Sequence, residues 1–368
     1  MSKELTSSLD LSSLPPEEKE CLLRVGIELS GEGRGGTYLQ FDQEVLQYQS
    51  RQEGLEVLSL QQARRLYPWV EEYLGRLLPE ARPEDPEARG YFVRVLPGVE
   101  VRYPVQSSLF IAREGTRQEV HNLVIVEEGA SLSLIAGCAS GACVRHGQHI
   151  GITETFIKRG GKLTFTMIHR WGEEVESTPQ GAVWVEEGGT YIYNYICLSG
   201  AKKLVTNPST YLAGAGAVVR SQSILLAPPG TSMDVGSRVY LQAPDTKAEL
   251  ISRAITTGGE IISRGLLVGE VAGVRGHLEC HGLMLTPQGR ILAVPELEAR
   301  TANVELSHEA AVGKVAEEAV EYLMARGLDE EEALAVIVRG FLNVRIEGLP
   351  PALQEEIDRI IKVSAAGV

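Results

Sequence analysis

Cys280, His277, His281, His308 and Glu309 lie within the stretch 276–314, GHLECHGLMLTPQGRILAVPELEARTANVELSHEAAVGK. A thiol, imidazoles and a carboxylate form the ligand set that iron or zinc uses. The run around Cys280 reads as a strand. Alternation then places His277, Glu279 and His281 on one face and Leu278, Cys280 and Gly282 on the other. The thiol is expected to point inward with leucine, and adjacent Cys280 and His281 cannot ligate one ion in a regular strand. Position alone favours an inert core cysteine. A second group, Cys138, Cys143, His146 and His149 (GCASGACVRHGQHI), has zinc-loop residue types, but its C-x4-C-x2-H-x2-H spacing is not that of a finger. The plain reading is a turn with incidental polar residues. Cys21 and Cys197 sit in apolar patterns and read as core. His121 and His169 lie in strand-like runs and read as hydrogen-bonded structural histidines. Nucleophile elbow, Walker loop, HExxH and dinucleotide fingerprint are all missing. The chain carries no motif for bond chemistry on a small organic substrate and is expected not to be an enzyme.

The elements that must position these residues fall into three blocks, 1–90, 91–303 and 304–368. Pro15-Pro16 followed by EEKECLLRVGI predicts a helix with proline and acids in its first turn. GEGRGG (31–36) is a break without the GK[ST] of a nucleotide loop. Val57, Leu58, Leu60, Ala63, Leu66, Trp69, Val70, Tyr73 and Leu77 recur at helical spacing. The acidic, proline-rich 79–90 reads as a linker. From about 91, apolar strands alternate with turns near Gly188, Gly216, Gly230, Asp245, Gly259, Gly273 and Gly289, in steps of 28, 14, 15, 14, 14 and 16 residues. Such a step is an internal repeat, and it predicts a mainly β protein, a parallel β-helix of short strands joined at glycine corners. An antiparallel sandwich with regular hairpins is the alternative. After about 303 the pattern turns helical. Residues 315–327 end in a glycine suited to a left-handed cap, and Asp329 with Glu332 makes a capping-box pair. GLPPALQEEIDRIIKV (348–363) reads as a third helix.

Net charge is −14, from 49 acidic and 35 basic residues, which argues against nucleic-acid and anionic-membrane partners. No apolar run approaches the roughly 18–20 residues of a membrane span. The N-terminal stretch has no apolar signal region, and five cysteines without a CxxC pair point to free thiols in a reducing cytoplasm.

The phrases VHNLVIVEEGASLSLIAGC, HIGITETFIKRGGKLTFTMIHRW, DVGSRVYLQAP, ISRAITTGGEIISRG, GHLEC and SHEAAVGKVAEEAVEYLMARGLDEEEALAVIVRGF resemble the SufB/SufD family of Suf-system iron–sulfur assembly proteins. The resemblance is dense over 91–348 and looser over 20–78. It implies a right-handed parallel β-helix flanked by helical regions, with the C-terminal helices docking a SufC-type ABC ATPase. It also implies a homodimer paired through β-helix edges, with a transient iron–sulfur cluster at the interface. By matching motifs, the cluster ligands are Cys280, His308 and Glu309, and sulfur enters at Cys138. A sulfur donor and apo-protein acceptors would be further partners, and this chain itself would bind no nucleotide. One cysteine plus harder His and Glu ligands suits a site that must release its product. The chain has Cys280-His281 where SufB has Cys-Asp, and ASGAC where an Ala-Pro turn usually follows Cys138. The rival within the same resemblance is a SufD-like structural partner without its own cluster; the rival outside it is a β-helix polysaccharide enzyme.

Overall fold

The computed structural model describes residues 14–342. It is a β-solenoid of about 8 turns with helices near both ends. Most of the strands form two long parallel sheets. One runs from the strand Gly36–Phe41 through Val105–Ile111 and successive coils to Glu305–Lys314; the other runs from Tyr91–Val95 to Arg290–Ala299. The repeat has a local cause. Gly98, Gly129, Gly160, Gly188, Gly216, Asp245, Gly273 and Asn303 all take positive φ, and they stack at one corner, each 28–31 residues after the last. Left-handed backbone is open to glycine and tolerated by Asn and Asp. Gly230, Gly258 and Gly289 turn a second corner. The 14–16-residue step of the sequence is therefore half a coil; the later coils have two strands and two corners, and the coils that begin at Lys162–Arg170 and Thr190–Cys197 carry their second side as two shorter strands.

Corner positions also need glycine for space. A Cβ at Gly214 would fall 1.8 Å from the backbone nitrogen of Glu187 in the preceding coil. Gly214→Ala is expected to destabilise the chain by at least about 1–3 kcal/mol, since only a backbone shift relieves the overlap. A lowered denaturation midpoint checks this, and an unchanged midpoint would contradict the close packing of the corners.

Parallel pairing stacks identical positions of successive coils into columns. Leu134, Phe165, Tyr193, Ser221, Leu250, Leu278 and His308 form one inner column. Ala136, Met167, Tyr195, Ser223, Ser252, Cys280 and Ala310 form the next. Most of the members upstream of His308 and Ala310 belong to one continuous buried core, and burial of apolar area there is the main stabilising term.

Three expectations change. The N-terminal block is not purely helical: the strands Gly36–Phe41, Glu44–Ser50 and Leu55–Ser59 join the two sheets. The helical spacing over 56–79 is realised only at α2, Leu60–Leu66, and in a 3-10 turn at Pro68–Glu72. Leu55, Val57 and Ser59 alternate into the core and pair with Tyr91–Val95, and Pro68 stops the helix. At the other end, the helical onset expected at 304 moves to Glu317. Residues Glu305–Lys314 form a strand, because the edge of Arg275–Met284 offers them a full parallel ladder. The helices flanking the solenoid are α1, Pro16–Arg24, then α3, Glu317–Met324, and α4, Glu330–Leu342. Asp329 and Glu332 exchange side-chain-to-backbone bonds of 2.8 and 3.0 Å, a capping box as expected. The expected third helix lies outside the described residues.

Candidate functional site

Cys280 faces the solenoid interior, as alternation requires, and is 1% exposed. Its strand neighbours in register are Ser252 and Ala310. Burial pushes its thiol up, and a Ser263 hydrogen bond and the Arg253 charge oppose that shift, while Glu279 adds to it. Ser263 and Ser223 both bond the Ser252 hydroxyl, at 2.8 and 3.1 Å, so a polar column of hydroxyls leads to the thiol.

The register decides how the predicted ligands meet. Leu278 pairs with His308, and Glu279 pairs with Glu309. His308 therefore shares the inner face with Cys280, one diagonal position away, whereas Glu309 is on the outer face beside Glu279. Both His308 and Glu309 are exposed, because among the described residues no further strand pairs with theirs. The final coil leaves Leu292, Leu297 and Val312 exposed as well. Among the described residues, no group of three or more His, Cys, Asp and Glu side chains is gathered to hold a metal ion. One copy thus supplies a buried thiol, an exposed imidazole and an exposed carboxylate, but no closed chelate.

On the outer face, Glu279 pairs with Arg253 and lies 3.6 Å from His281 Nδ1. The Arg253 guanidinium stands 5.8 Å over the ring of Phe341 in α4. This cation–π contact ties the C-terminal helix to the strand beside Cys280.

The second predicted group is dispersed. Cys143 is exposed, and His146 pairs outside with Glu114 at 2.6 Å. Cys138 and His149 are inside, each 1% exposed. Three residues apart on one strand, His146 and His149 must point to opposite faces. Cys138 Sγ sits 3.9 Å from Met167 Sδ, and burial pushes its thiol up to about 12. Cys21 and Cys197 are buried, as their apolar settings predict. His121 is a structural histidine bonded to Glu154 at 2.8 Å.

Sequence reasoning passed over one convergence. His169 lies beside Cys138 in register, and His149 approaches it from the opposite sheet, with ring centroids 6.1 Å apart and Trp171 against both. The available signal was spacing: 138 and 169 are one coil apart. These rings line a cavity of about 40 Å³ with Cys138, Met167 and Tyr195. A second cavity of about 20 Å³, lined by Ser223, Ser252 and Leu278, shares Tyr193 and Tyr195 with the first. Together they run along the interior from Cys138 to the neighbour of Cys280.

Burial holds both rings neutral, with His149 lowered from 6.5 to about 4 and His169 well below its usual value. The unfolded chain takes up these protons near pH 6.5, whereas the folded interior refuses them. Stability is expected to fall as pH drops from 6.5 toward 4, by about 3 kcal/mol for His149 alone. Urea midpoints measured between pH 7 and 4 check this, and His149→Gln should flatten the slope. A midpoint independent of pH would mean that the rings are not buried neutral.

A parallel β-solenoid with a buried thiol beside an open terminal coil is the class this architecture defines. Residues 109–341 match the domain described as SUF system FeS cluster assembly, SufBD core domain. An iron–sulfur cluster assembly SufBD family protein of Archaeoglobus fulgidus is 47% identical over 353 residues, 94% of this chain and 95% of its own length. Its namesake from Methanothermobacter thermautotrophicus is 42% identical over 96% of this chain and 89% of its own. Iron-sulfur cluster assembly protein SufB of Bacillus subtilis is 34% identical over 76% of this chain and 60% of its own. The chain belongs to the SufBD family of iron–sulfur cluster assembly proteins. Among the described residues, no helix is long and apolar enough to cross a membrane.

Proposed function

We propose that this chain is a cytoplasmic scaffold on which iron–sulfur clusters are built and from which they are handed on, with no catalytic residue of its own. The observation that carries the reading is the register of the last two coils: Cys280 lies beneath an open strand that presents His308 and Glu309. Iron accepts thiolate, imidazole and carboxylate together. An incomplete donor set in one copy suits a homodimer. Two open edges paired about a twofold axis would double every donor at one interface. Metallation requires the Cys280 proton to leave, so ligand binding and proton release are coupled there. Sulfur enters at Cys138, and the interior column of Tyr195, Ser223 and Ser252 leads from it to Cys280.

A SufC-type ABC ATPase would dock on α3 and α4, whose Tyr322, Met324 and Val336 are exposed. Movement of α4 would reach the cluster strand through Phe341 and Arg253. A sulfur donor and apo-protein acceptors complete the set of partners.

Anaerobic reconstitution of the chain with its ATPase, iron and sulfide tests the reading. Charge-transfer absorbance with stoichiometric iron and sulfide is the expected result. Wild-type protein that holds no cluster would instead identify a SufD-like structural partner.

A further inference from the structure

We propose that the cavity between His149 and His169 is a seat for inorganic sulfide, bound as hydrogen sulfide without a covalent bond. The inference deepens the reading of the Cys138 region as the sulfur-entry point.

The hydrogen-bond network fixes what the two rings offer. The Gln118 amide nitrogen donates to the carbonyls of Asp42 and Phe110, so its Oε1 must accept from His149 Nδ1, at 2.9 Å. His149 Nε2 is then a bare acceptor. It has room because residue 151 is glycine; a Cβ there would lie 2.9 Å from that nitrogen. Tyr195 lies 2.9 Å from His169 Nδ1. Phenol is a stronger acid than neutral imidazole, so the hydroxyl donates and His169 Nε2 keeps its proton. That Nε2 is buried and has no protein partner. A buried donor left unmade is costly and rare.

The two rings therefore present one acceptor and one donor to a cavity whose walls include Leu109, Phe165 and Met167 beside the hydroxyls of Thr153 and Thr155. At about 40 Å³ it admits only a very small molecule. The occupant must donate one hydrogen bond, accept another and tolerate apolar and thioether surroundings. Hydrogen sulfide meets all three demands. Water meets the first two, but it loses more hydration on entering apolar walls. The sulfur arrives already at the oxidation level of a bridging sulfide. No persulfide on Cys138 and no reductant is then required, and the protons leave when sulfide meets iron.

Crystals of the full chain soaked anaerobically in hydrogen selenide, without iron, give the direct test by selenium anomalous scattering. The expected result is one peak within hydrogen-bond reach of both Nε2 atoms, retained in Cys138→Ser. In solution, sulfide should change Trp171 fluorescence saturably, with binding about tenfold weaker in His169→Leu, the loss of one hydrogen bond. A cavity holding water alone, selenium attached only to Cys138, or a fluorescence response unchanged in His169→Leu would each overturn the proposal. Because iron is absent, this result stands apart from cluster assembly: the seat could fail while Cys280 still builds a cluster, or fill while no cluster forms.

Discussion

Cys280→Ser is expected to reduce reconstituted iron and sulfide to background while the chain stays folded. The two halves of this expectation have separate causes. Thiolate is the donor an iron–sulfur cluster requires, and a serine hydroxyl is a poor substitute. The fold, by contrast, has hydroxyl partners waiting. Ser263 already reaches the Cys280 thiol, and Ser252 is its neighbour in register. A serine there finds a hydrogen bond, so the stability change should stay within about 1 kcal/mol. Cys197→Ser and Cys21→Ser serve as controls, since neither sulfur is near the terminal coil. Undiminished iron in Cys280→Ser would move the cluster elsewhere and sink the assignment.

Glu154→Ala should produce a large loss of stability. Glu154 is fully buried. Its carboxylate accepts backbone N–H bonds from Gly75 at 2.6 Å, Leu77 at 2.7 Å and Leu78 at 3.3 Å, and it meets His121 Nε2 at 2.8 Å. This one side chain fastens the segment after the 3-10 turn Pro68–Glu72 onto the sheet. Truncation leaves several buried donors without an acceptor, at a cost of about 3–5 kcal/mol. Glu154→Gln keeps one acceptor oxygen but turns an NH2 toward those donors, so it should fall between alanine and wild type. Urea unfolding measures the loss, and proteolysis near residue 75 should accelerate with it. A loss below 1 kcal/mol would show that the N-terminal block is held by its apolar contacts alone, chiefly Leu60, Val70, Leu74 and Phe92.

Both outcomes depend on relations that are unequally visible in the chain. Local rules determined much of the molecule. A left-handed corner needs glycine, asparagine or aspartate, so the turns at Gly188, Gly216, Gly230, Asp245, Gly273 and Gly289 were legible from residue type and spacing. Strand alternation was enough to turn Cys280 inward, and the Asp329–Glu332 capping box is written in residues three apart. The family phrases then distinguished a solenoid from a sandwich. Periodicity failed at two places. Over 55–59 and 305–314, neighbouring sheet edges offered parallel or antiparallel ladders, and that pairing outweighed a helical pattern. Lateral register is a relation between residues about thirty positions apart, and no local propensity encodes it. Only the tertiary structure could set Leu278 beside His308 and Glu279 beside Glu309, leaving the inner and outer donors on opposite faces of one open strand. It alone brought His149 and His169 together beside Cys138, because coil stacking joins columns of residues that the chain keeps a full turn apart.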